Sequence, residues 1–427
     1  MTNHKYRILR GDCLDRMREL EDGSVDAIVT DPPYGLSFMN KEWDSFGTDT
    51  RQPGGEHYWV PDNPYGRQKV RYGWNQDKSK LAQSMVAFQE AMTPIFKEAL
   101  RVAKPGAHLL CFGGTRTFHR TACAIEDAGW ECRDCIMWVY GSGFPKSMDV
   151  AKAIDKANGY VGEVIGERTV DVGMQGGHMH AGRKQQQQQQ VRALSDQAKE
   201  WEGWGTCLKP AWEPIIVARK PLDGTVAHNV LTWGVGALNI DACRVPTEDN
   251  LNGGAYADNG THRDDGWRYQ RGGAGEYKQP QGRFPANLVH DGSQMVLDLF
   301  PDTGKSSGGR TVKRSGGGNV GSGKLSEVSW SSDDPGFGDS GSAARFFYCA
   351  KASKKDRGDG NNHPTVKPTE LMKWLVKLVT PEGGVVLDPF AGSGTTLVAC
   401  KMLGRDCIGI EREPEYVEII KRRLETT

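Results

Sequence analysis

Asp31, Pro32, Pro33 and Tyr34 follow directly on the short run Val25-Asp26-Ala27-Ile28-Val29-Thr30, and they carry a carboxylate, two rigid backbone units and an aromatic ring. Proline holds φ near about −65° and donates no backbone hydrogen bond, so two in succession end a strand ladder and stiffen the turn that follows. The run before them is apolar and β-branched and is bounded upstream by Asp22-Gly23-Ser24, which is the pattern of a buried parallel strand. Open α/β sheets bind ligands at the carboxyl ends of such strands. Here the turn offers two acceptors, the Asp31 carboxylate and the Pro32 carbonyl, beside the face of Tyr34. Two acceptors and a stacking surface suit a planar amino group. Read alone, the tetrapeptide is also compatible with an ordinary strand-to-loop turn carrying an incidental aromatic.

A second constellation lies far downstream, in Gly384-Val385-Val386-Leu387-Asp388-Pro389-Phe390-Ala391-Gly392-Ser393-Gly394-Thr395-Thr396. It reads as a strand, then a glycine-rich turn opening a helix through Leu397, Val398, Ala399 and Cys400. Without Cβ atoms, Gly392 and Gly394 let the chain turn sharply and expose N–H groups at a helix N-terminus, where a carboxylate or phosphate is stabilised. Arg405-Asp406-Cys407-Ile408-Gly409-Ile410-Glu411 is a second strand that ends in an acid. An acid about 20 residues beyond such glycines is placed to grip ribose hydroxyls. The spacing is neither the Gly-x-Gly-x-x-Gly nicotinamide pattern nor a P-loop, since no Gly-Lys-Ser/Thr follows. It describes a nucleoside-binding strand pair.

Together the two motifs resemble the S-adenosylmethionine-dependent DNA amino-methyltransferases, in which Asp-Pro-Pro-Tyr presents the target base and Phe-x-Gly-x-Gly binds the cofactor. The catalytic motif comes first here, as in the circularly permuted beta group of that family. His363-Pro364-Thr365-Val366-Lys367-Pro368 is similar to the group's tenth motif, and Gly141 to Lys146 is placed like its eighth, which makes Phe144 and Lys146 candidates for holding the flipped base. The resemblance covers most of residues 5–140 and 345–427 and is weaker between. It implies Asp31, Pro32, Pro33 and Tyr34 as the catalytic set. It implies Asp12, Cys13, His363, Thr365, Lys367, Asp388, Pro389, Phe390, Gly392, Ser393, Gly394, Thr395 and Glu411 as the S-adenosylmethionine site, with no metal. Asp12 can equally be read as a helix N-cap. The implied partner is double-stranded DNA, with room for a homodimer and for a cognate restriction enzyme outside this chain. Asp at the first motif position favours adenine N6 over cytosine N4 in that family. Methylation of RNA or of a protein glutamine amide, and a catalytically silent DNA-binding module, are the competing readings.

The elements that must hold these residues follow an α/β alternation. Residues 6–10 read as a strand and Leu14, Met17 and Leu20 as one side of a short helix; Met85, Phe88, Met92, Ile95, Phe96, Ala99 and Val102 repeat at three or four, a core-facing helical stripe. A strand at 107–112, a helix at 117–128, a strand at 132–140 and a helix at 150–157 continue the βα repeat. Residues 212–219 form a strand placed to be the antiparallel member of a methyltransferase sheet. The expected fold is therefore a Rossmann-like α/β sheet, mostly parallel with one antiparallel strand, circularly permuted, with an inserted irregular target-recognition region. Residues 1–220 would be its catalytic half, with a mobile low-complexity insertion at about 160–200. The tract 170–190 lies within it, including its glutamine run. Residues 221–344, where periodicity fades, would be the recognition region, with Arg263, Arg268, Arg271, Arg283, Arg310, Lys313 and Arg314 able to reach phosphates or bases. Residues 345–427 would be the cofactor half. The aromatic and basic loop at 35–80 suits a flap over DNA or an Ω-like surface loop.

A chain of 427 residues with 37% hydrophobic content can bury two or three domain-sized cores. Its 54 Lys and Arg balance its 54 Asp and Glu, so a DNA-binding surface must come from local segregation of charge rather than a global field. Met1 to Arg7 has no apolar signal core and no run reaches the roughly 18 apolar residues of a membrane span, which reads as a cytoplasmic protein without membrane association. The 10 cysteines are scattered, several in apolar runs, as reduced buried thiols are. Cys132-x-x-Cys135 lacks the second pair a zinc site needs.

Overall fold

The computed structural model describes residues 5–35, 78–143, 147–160, 163–172, 184–192, 195–249, 280–304, 312–313, 329–330, 340–351, 356–358 and 360–427. β1 (Tyr6–Arg10), α1 (Cys13–Arg18) and β2 (Val25–Thr30) come first, and α2 (Lys78–Val102), β3 (Ala103–Phe112), α3 (Phe118–Asp127) and β4 (Glu131–Val139) continue the alternation. After α4 (Val150–Ala157) follow β5 (Glu163–Val172), β6 (Lys184–Arg192), the single turn α5 (Asp196–Lys199), β7 (Trp212–Arg219) and α6 (Val226–Trp233). A series of short elements comprises β8 (Leu288–His290), α7 (Gln294–Leu297), β9 (Asp302–Thr303), β10 (Val312–Lys313), β11 (Ser329–Trp330), β12 (Gly341–Ser342) and β13 (Tyr348–Cys349). The last elements are α8 (Thr369–Val379), β14 (Val385–Asp388), α9 (Thr395–Met402), β15 (Asp406–Glu411) and α10 (Pro414–Thr426).

Among the described residues, nine strands form one mixed sheet in the order β1-β15-β14-β2-β3-β7-β4-β8-β13. β1, β15, β14, β2 and β3 pair in parallel, and β7 runs antiparallel to both of its neighbours, β3 and β4. The sheet is thus mixed and mostly parallel, and β7, the strand expected to be reversed, is antiparallel to both neighbours. Sequence-distant segments interleave: β14 lies between β15 and β2, with Val386 opposite Ala27 and Leu387 opposite Ile28. Because the pairing is parallel, Thr30 and Asp388 end their strands at the same edge. The two motifs read in the sequence therefore emerge side by side.

β2 is buried at all six positions, including Asp26 and Thr30. A buried polar group is retained only with partners, and both residues have them across the strand pair. Asp26 accepts from Val385 N at 2.7 Å and from Lys104 Nζ at 2.6 Å, and Thr30 Oγ1 donates to Asp388 at 2.7 Å. On one face of the sheet, α2 supplies Phe88, Met92, Ile95, Phe96, Ala99 and Val102 to the core, as its three-and-four spacing requires. Leu371, Trp374, Leu375, Leu378 and Val379 of α8 are buried in the same way.

Two compact units divide the chain. One comprises Met1–Asn239, Asn287–Val296 and Cys349–Thr427, and the other Ile240–Ala286 and Leu297–Tyr348. The sequence division at 220 and 344 differs from this because β8, inside the supposedly irregular stretch, returns to pair in parallel with β4. α6 also falls there, opened by Thr225 Oγ1 accepting from His228 N at 3.2 Å and closed by Gly234 at φ +75°. In the second unit Val245 bridges Arg283, Gly341-Ser342 pairs with Asp302-Thr303, and the Arg283 and Arg345 guanidinium groups lie over the Phe346 ring at 4.6 and 4.3 Å.

Within the insertion expected at about 160–200, β5 and β6 form an antiparallel ribbon, with Thr169 to Asp171 opposite Gln187 to Gln185. A ladder is built from backbone groups, so a glutamine run without apolar side chains can still supply one strand. Of the loop at 35–80 that suits a flap, residues 36–77 lie outside the described residues and 78–80 belong to α2. Phe144, Lys146, Arg263, Arg268, Arg271, Arg310 and Arg314, and the side chain of Lys313, also lie outside the described residues.

Candidate active site

The turn after β2 carries Asp31 to Tyr34, with Pro32 buried and the others half-buried. Gly35 then leaves at φ +68°, where a Cβ would stand 2.7 Å from the Phe88 ring, so both the backbone and the packing call for glycine. Tyr34 Oη donates to Asp31 Oδ1 at 2.8 Å. Burial and the neighbouring carboxylates of Asp31 and Glu213 hold the Tyr34 phenol well above its ordinary range, so the hydroxyl keeps its proton.

Lys367 and Glu213 meet this turn, with Tyr140 and Phe112 beside them. Lys367, from the segment before α8, is 10% exposed and places Nζ 2.9 Å from Asp31 Oδ2, 2.9 Å from Glu213 Oε2 and 3.2 Å from Tyr34 Oη. Glu213 comes from the amino end of β7, which reaches this edge of the sheet because β7 is antiparallel to β3. Tyr140, just past β4, donates to Glu213 Oε1 at 3.5 Å. The Phe112 ring at the end of β3 lies 4.7 Å from Lys367 Nζ. Burial lowers the Lys367 pKa, but the Asp31 and Glu213 carboxylates more than offset it and hold the group above the usual lysine range. The ammonium therefore stays charged.

The glycine-rich turn follows β14. Gly392 and Gly394 adopt φ +53° and +81°; a Cβ on the first would stand 2.9 Å from His363 Nε2, and one on the second 2.9 Å from Ile420 side-chain carbons. Asp388 is 3% exposed and accepts from Thr30 Oγ1, Phe390 N (3.1 Å) and Thr396 Oγ1 (2.5 Å). Burial pushes its carboxyl up to about 6, against the lowering by these hydrogen bonds. Its carboxylate ties β2, β14 and α9 together. Pro389, Ser393 and Thr395 are buried, while Phe390 and Gly392 are half-buried in the turn. α9 starts at Gly394 with no side-chain cap.

At the end of β15, Glu411 accepts from Gly392 N and from Glu413 N, each at 2.8 Å. Burial pushes this carboxyl up to about 7, although both backbone bonds act to lower it. Gly11 N donates to the Glu411 carbonyl at 3.0 Å, which brings the Gly11-Asp12 turn beside it. Asp12 is the N-cap of α1, accepting from Leu14 N and Asp15 N, and Cys13 is buried. His363 packs edge-on to Tyr416 at 4.5 Å, and its Nδ1 is 2.5 Å from Thr365 O. Burial pushes its imidazole down to about 4, so it is neutral at ordinary pH. The 363–367 segment thus touches both turns, the glycine-rich one through His363 and the Asp-Pro-Pro-Tyr one through Lys367.

Glu213, Tyr140, Phe112 and Arg423 were not singled out in the sequence. Arg423 of α10 is 8% exposed and donates to Ser393 O at 2.7 Å, to Thr395 Oγ1 at 3.1 Å and to Asp356 O at 2.7 Å, which clamps the glycine-rich turn from behind. Burial lowers its guanidinium to about 10. It sits within Lys421-Arg422-Arg423 and looks like a solvated basic run, yet it continues the Tyr416, Ile420 stripe at the helical spacing. That spacing was the available signal. For Glu213 the signal was an acid at the start of an otherwise apolar strand.

The residues fit S-adenosylmethionine. Glu411 is an acceptor at the end of the second strand, and α9 presents an N-terminus without a side-chain cap above a half-buried glycine. A family model described as DNA methylase matches residues 25–422. The type II methyltransferase M.HindIII of Haemophilus influenzae is 24% identical over 423 residues, spanning 98% of this chain and 94% of that protein. The type II methyltransferase M2.DpnII of Streptococcus pneumoniae is 42% identical over 85 residues, 20% of this chain and 32% of its own. A solved structure of M1.HpyAVI with S-adenosylmethionine aligns over 98% of each chain at 15% identity, with a TM-score of 0.38. With the family model running through both turns and almost the whole sheet, the chain belongs to the N6/N4 DNA methylase family and is an S-adenosylmethionine-dependent DNA amino-methyltransferase.

Proposed function

We propose that the base modified is adenine, at N6, flipped out of double-stranded DNA and received by the Asp31-Pro32-Pro33-Tyr34 turn. The observation that supports transfer to a base held at this turn, whichever base it is, is the adjacency of that turn to the glycine-rich turn, through the pairing of β2 with β14. An exocyclic amino nitrogen is a poor nucleophile because its lone pair is delocalised into the ring. The Asp31 carboxylate and the Pro32 carbonyl each accept one N–H, which favours a pyramidal nitrogen with its lone pair free. Tyr34 stacks on the base and offsets part of the unstacking cost, on the order of a few kcal/mol. Its hydroxyl bond to Asp31 fixes the ring against the carboxylate.

Bound S-adenosylmethionine supplies the methyl group as an electrophile on a sulfonium centre. Glu411 accepts the ribose hydroxyls, and the α9 N-terminus with the Gly392-Ser393-Gly394 backbone holds the methionine end. Asp388 shapes that turn from behind. Catalysis is chiefly orientation and electrostatics, with Asp31 taking the amino proton after the methyl group has transferred.

The preference for adenine rests on the carboxylate at the first motif position, which is the family tendency. Both amino groups offer two donors, so hydrogen bonding alone does not separate them. The test is methylation of unmodified, in vitro amplified genomic DNA, digestion to nucleosides and mass spectrometry. N6-methyladenine is expected, and N4-methylcytosine without it overturns the base assignment.

A further inference from the structure

We infer that Lys367 and Glu213 form a positioning pair that aims the Asp31 carboxylate, with Glu213 acting on Asp31 through Lys367. This inference rests on the reading of Asp31 as the acceptor of the target amino group. An ammonium has three N–H donors, and Lys367 faces three acceptors: Asp31 Oδ2 and Glu213 Oε2 at 2.9 Å and Tyr34 Oη at 3.2 Å. These use its full donor capacity on protein atoms. Its role is thus set by the Asp-Pro-Pro-Tyr turn rather than by the glycine-rich turn.

The arrangement orients Asp31 from two sides. Oδ1 is fixed by the Tyr34 hydroxyl at 2.8 Å and Oδ2 by Lys367, which sets the rotation of the carboxylate about its own axis. Each carboxylate oxygen has a second lone pair, and those remaining lone pairs are aimed by the first two bonds. Lys367 in turn is held by Glu213, whose Oε2 also lies 3.4 Å from Tyr34 Oη, and its charged end lies against the Phe112 ring at 4.7 Å. Tyr140 donates to the other Glu213 oxygen at 3.5 Å. The three charges sum to −1. Removing the ammonium alone leaves two carboxylates facing one another across a mostly buried pocket, and they move apart. A displacement of about 1 Å at a reacting group can cost about 10²-fold in rate.

Lys367→Met, Lys367→Arg, Glu213→Gln and the double variant Glu213→Gln/Lys367→Met test this. Single-turnover transfer of a tritiated methyl group to in vitro amplified, unmethylated genomic DNA is measured at saturating S-adenosylmethionine. Calorimetry gives cofactor affinity, and thermal unfolding checks the fold. The expected result for Lys367→Met is a transfer rate down about 10²-fold with cofactor affinity within about twofold of wild type. Lys367→Arg recovers part of the rate. Glu213→Gln loses less than Lys367→Met, and in the Lys367→Met background it adds no further loss and recovers part of the rate, because it removes one of the two facing carboxylates. Multiplying losses in the double variant, or weakened cofactor binding with an unchanged transfer rate in Lys367→Met, overturns the inference. If Lys367→Met fails to fold, Lys367→Arg and Glu213→Gln decide it, and wild-type rates in both overturn it. Asp31→Asn, run in parallel, separates the two claims. Full activity in that variant removes the role of Asp31 itself, whereas loss there with wild-type rates in the lysine and glutamate variants removes only the positioning pair.

Discussion

Glu411 is the residue whose environment makes the sharpest statement about binding. Its carboxyl is pushed up to about 7 by burial, so in the free protein it is ionised above that pH and takes a proton below it. If ribose hydroxyls bond to the carboxylate, protonation competes with binding. Cofactor affinity is then at its full value above about 7 and falls by up to about tenfold per pH unit beneath it. Calorimetric titration from pH 8 to 5.5 should show this slope in wild type and a shallower one in Glu411→Gln, where Asp388, raised to about 6, still titrates at the cofactor turn. In Glu411→Ala the loss should be about 1.5 to 3 kcal/mol, the range for a hydrogen bond to a charged group. A wild-type affinity independent of pH, together with an unaffected Glu411→Ala, removes the ribose role. Asp31, Tyr34 and Glu411 could be named from the sequence because each stands at the end of an apolar run. Lys367 could be named too, but not its partner. Nothing in the sequence brings residue 367 to residue 31, since that contact depends on where the segment before α8 passes across the sheet edge.

At the scale of elements, the site depends on β2 and β14 being locked in register, and Asp26 is one of two side chains of β2 that clip them, with Thr30 at the other end bonded to Asp388. Asp26 bonds Val385 N on one strand and Lys104 Nζ on β3, and it is 5% exposed. Asp26→Ala leaves a backbone N–H and a half-buried ammonium without their acceptor. The expected cost is about 3 kcal/mol, the lower end for breaking a buried ion pair, since Lys104 retains some access to water. Urea unfolding monitored by tryptophan fluorescence measures it, and a change under about 1 kcal/mol would mean that the strand pair does not depend on this clip. Strands and helices were legible wherever a period of two or of three to four ran for several residues, as in α2, β7 and α8. α6 and β8 were not. α6 is opened by Thr225 and closed by Gly234 within a glycine-rich stretch, and β8 is three residues long, too short for any period. β6 was hidden by composition, because its glutamines carry no hydrophobic signal for a ladder made by the backbone.

For the whole molecule, the larger compact unit gathers segments from both sequence termini around one sheet, and the two turns meet because β14 is inserted between β15 and β2. The order of the motifs could be read in the sequence. Their contact could not, because strand order is set by packing over hundreds of residues. The β5-β6 ribbon pairs only with itself among the described residues, so its removal takes no strand from the central sheet. Replacing residues 163–192 with a short linker should leave methyl transfer within about tenfold of wild type, measured on unmethylated DNA. Complete loss in a folded product would assign the ribbon to substrate binding. The central claim is that Asp31 acts on the target amino group and not on the cofactor. Its most direct test is Asp31→Ala, with methyl transfer and S-adenosylmethionine affinity measured on the same preparation. Transfer should disappear while calorimetric affinity stays within about twofold of wild type. Transfer that persists, or affinity that collapses while turnover remains, would contradict the claim.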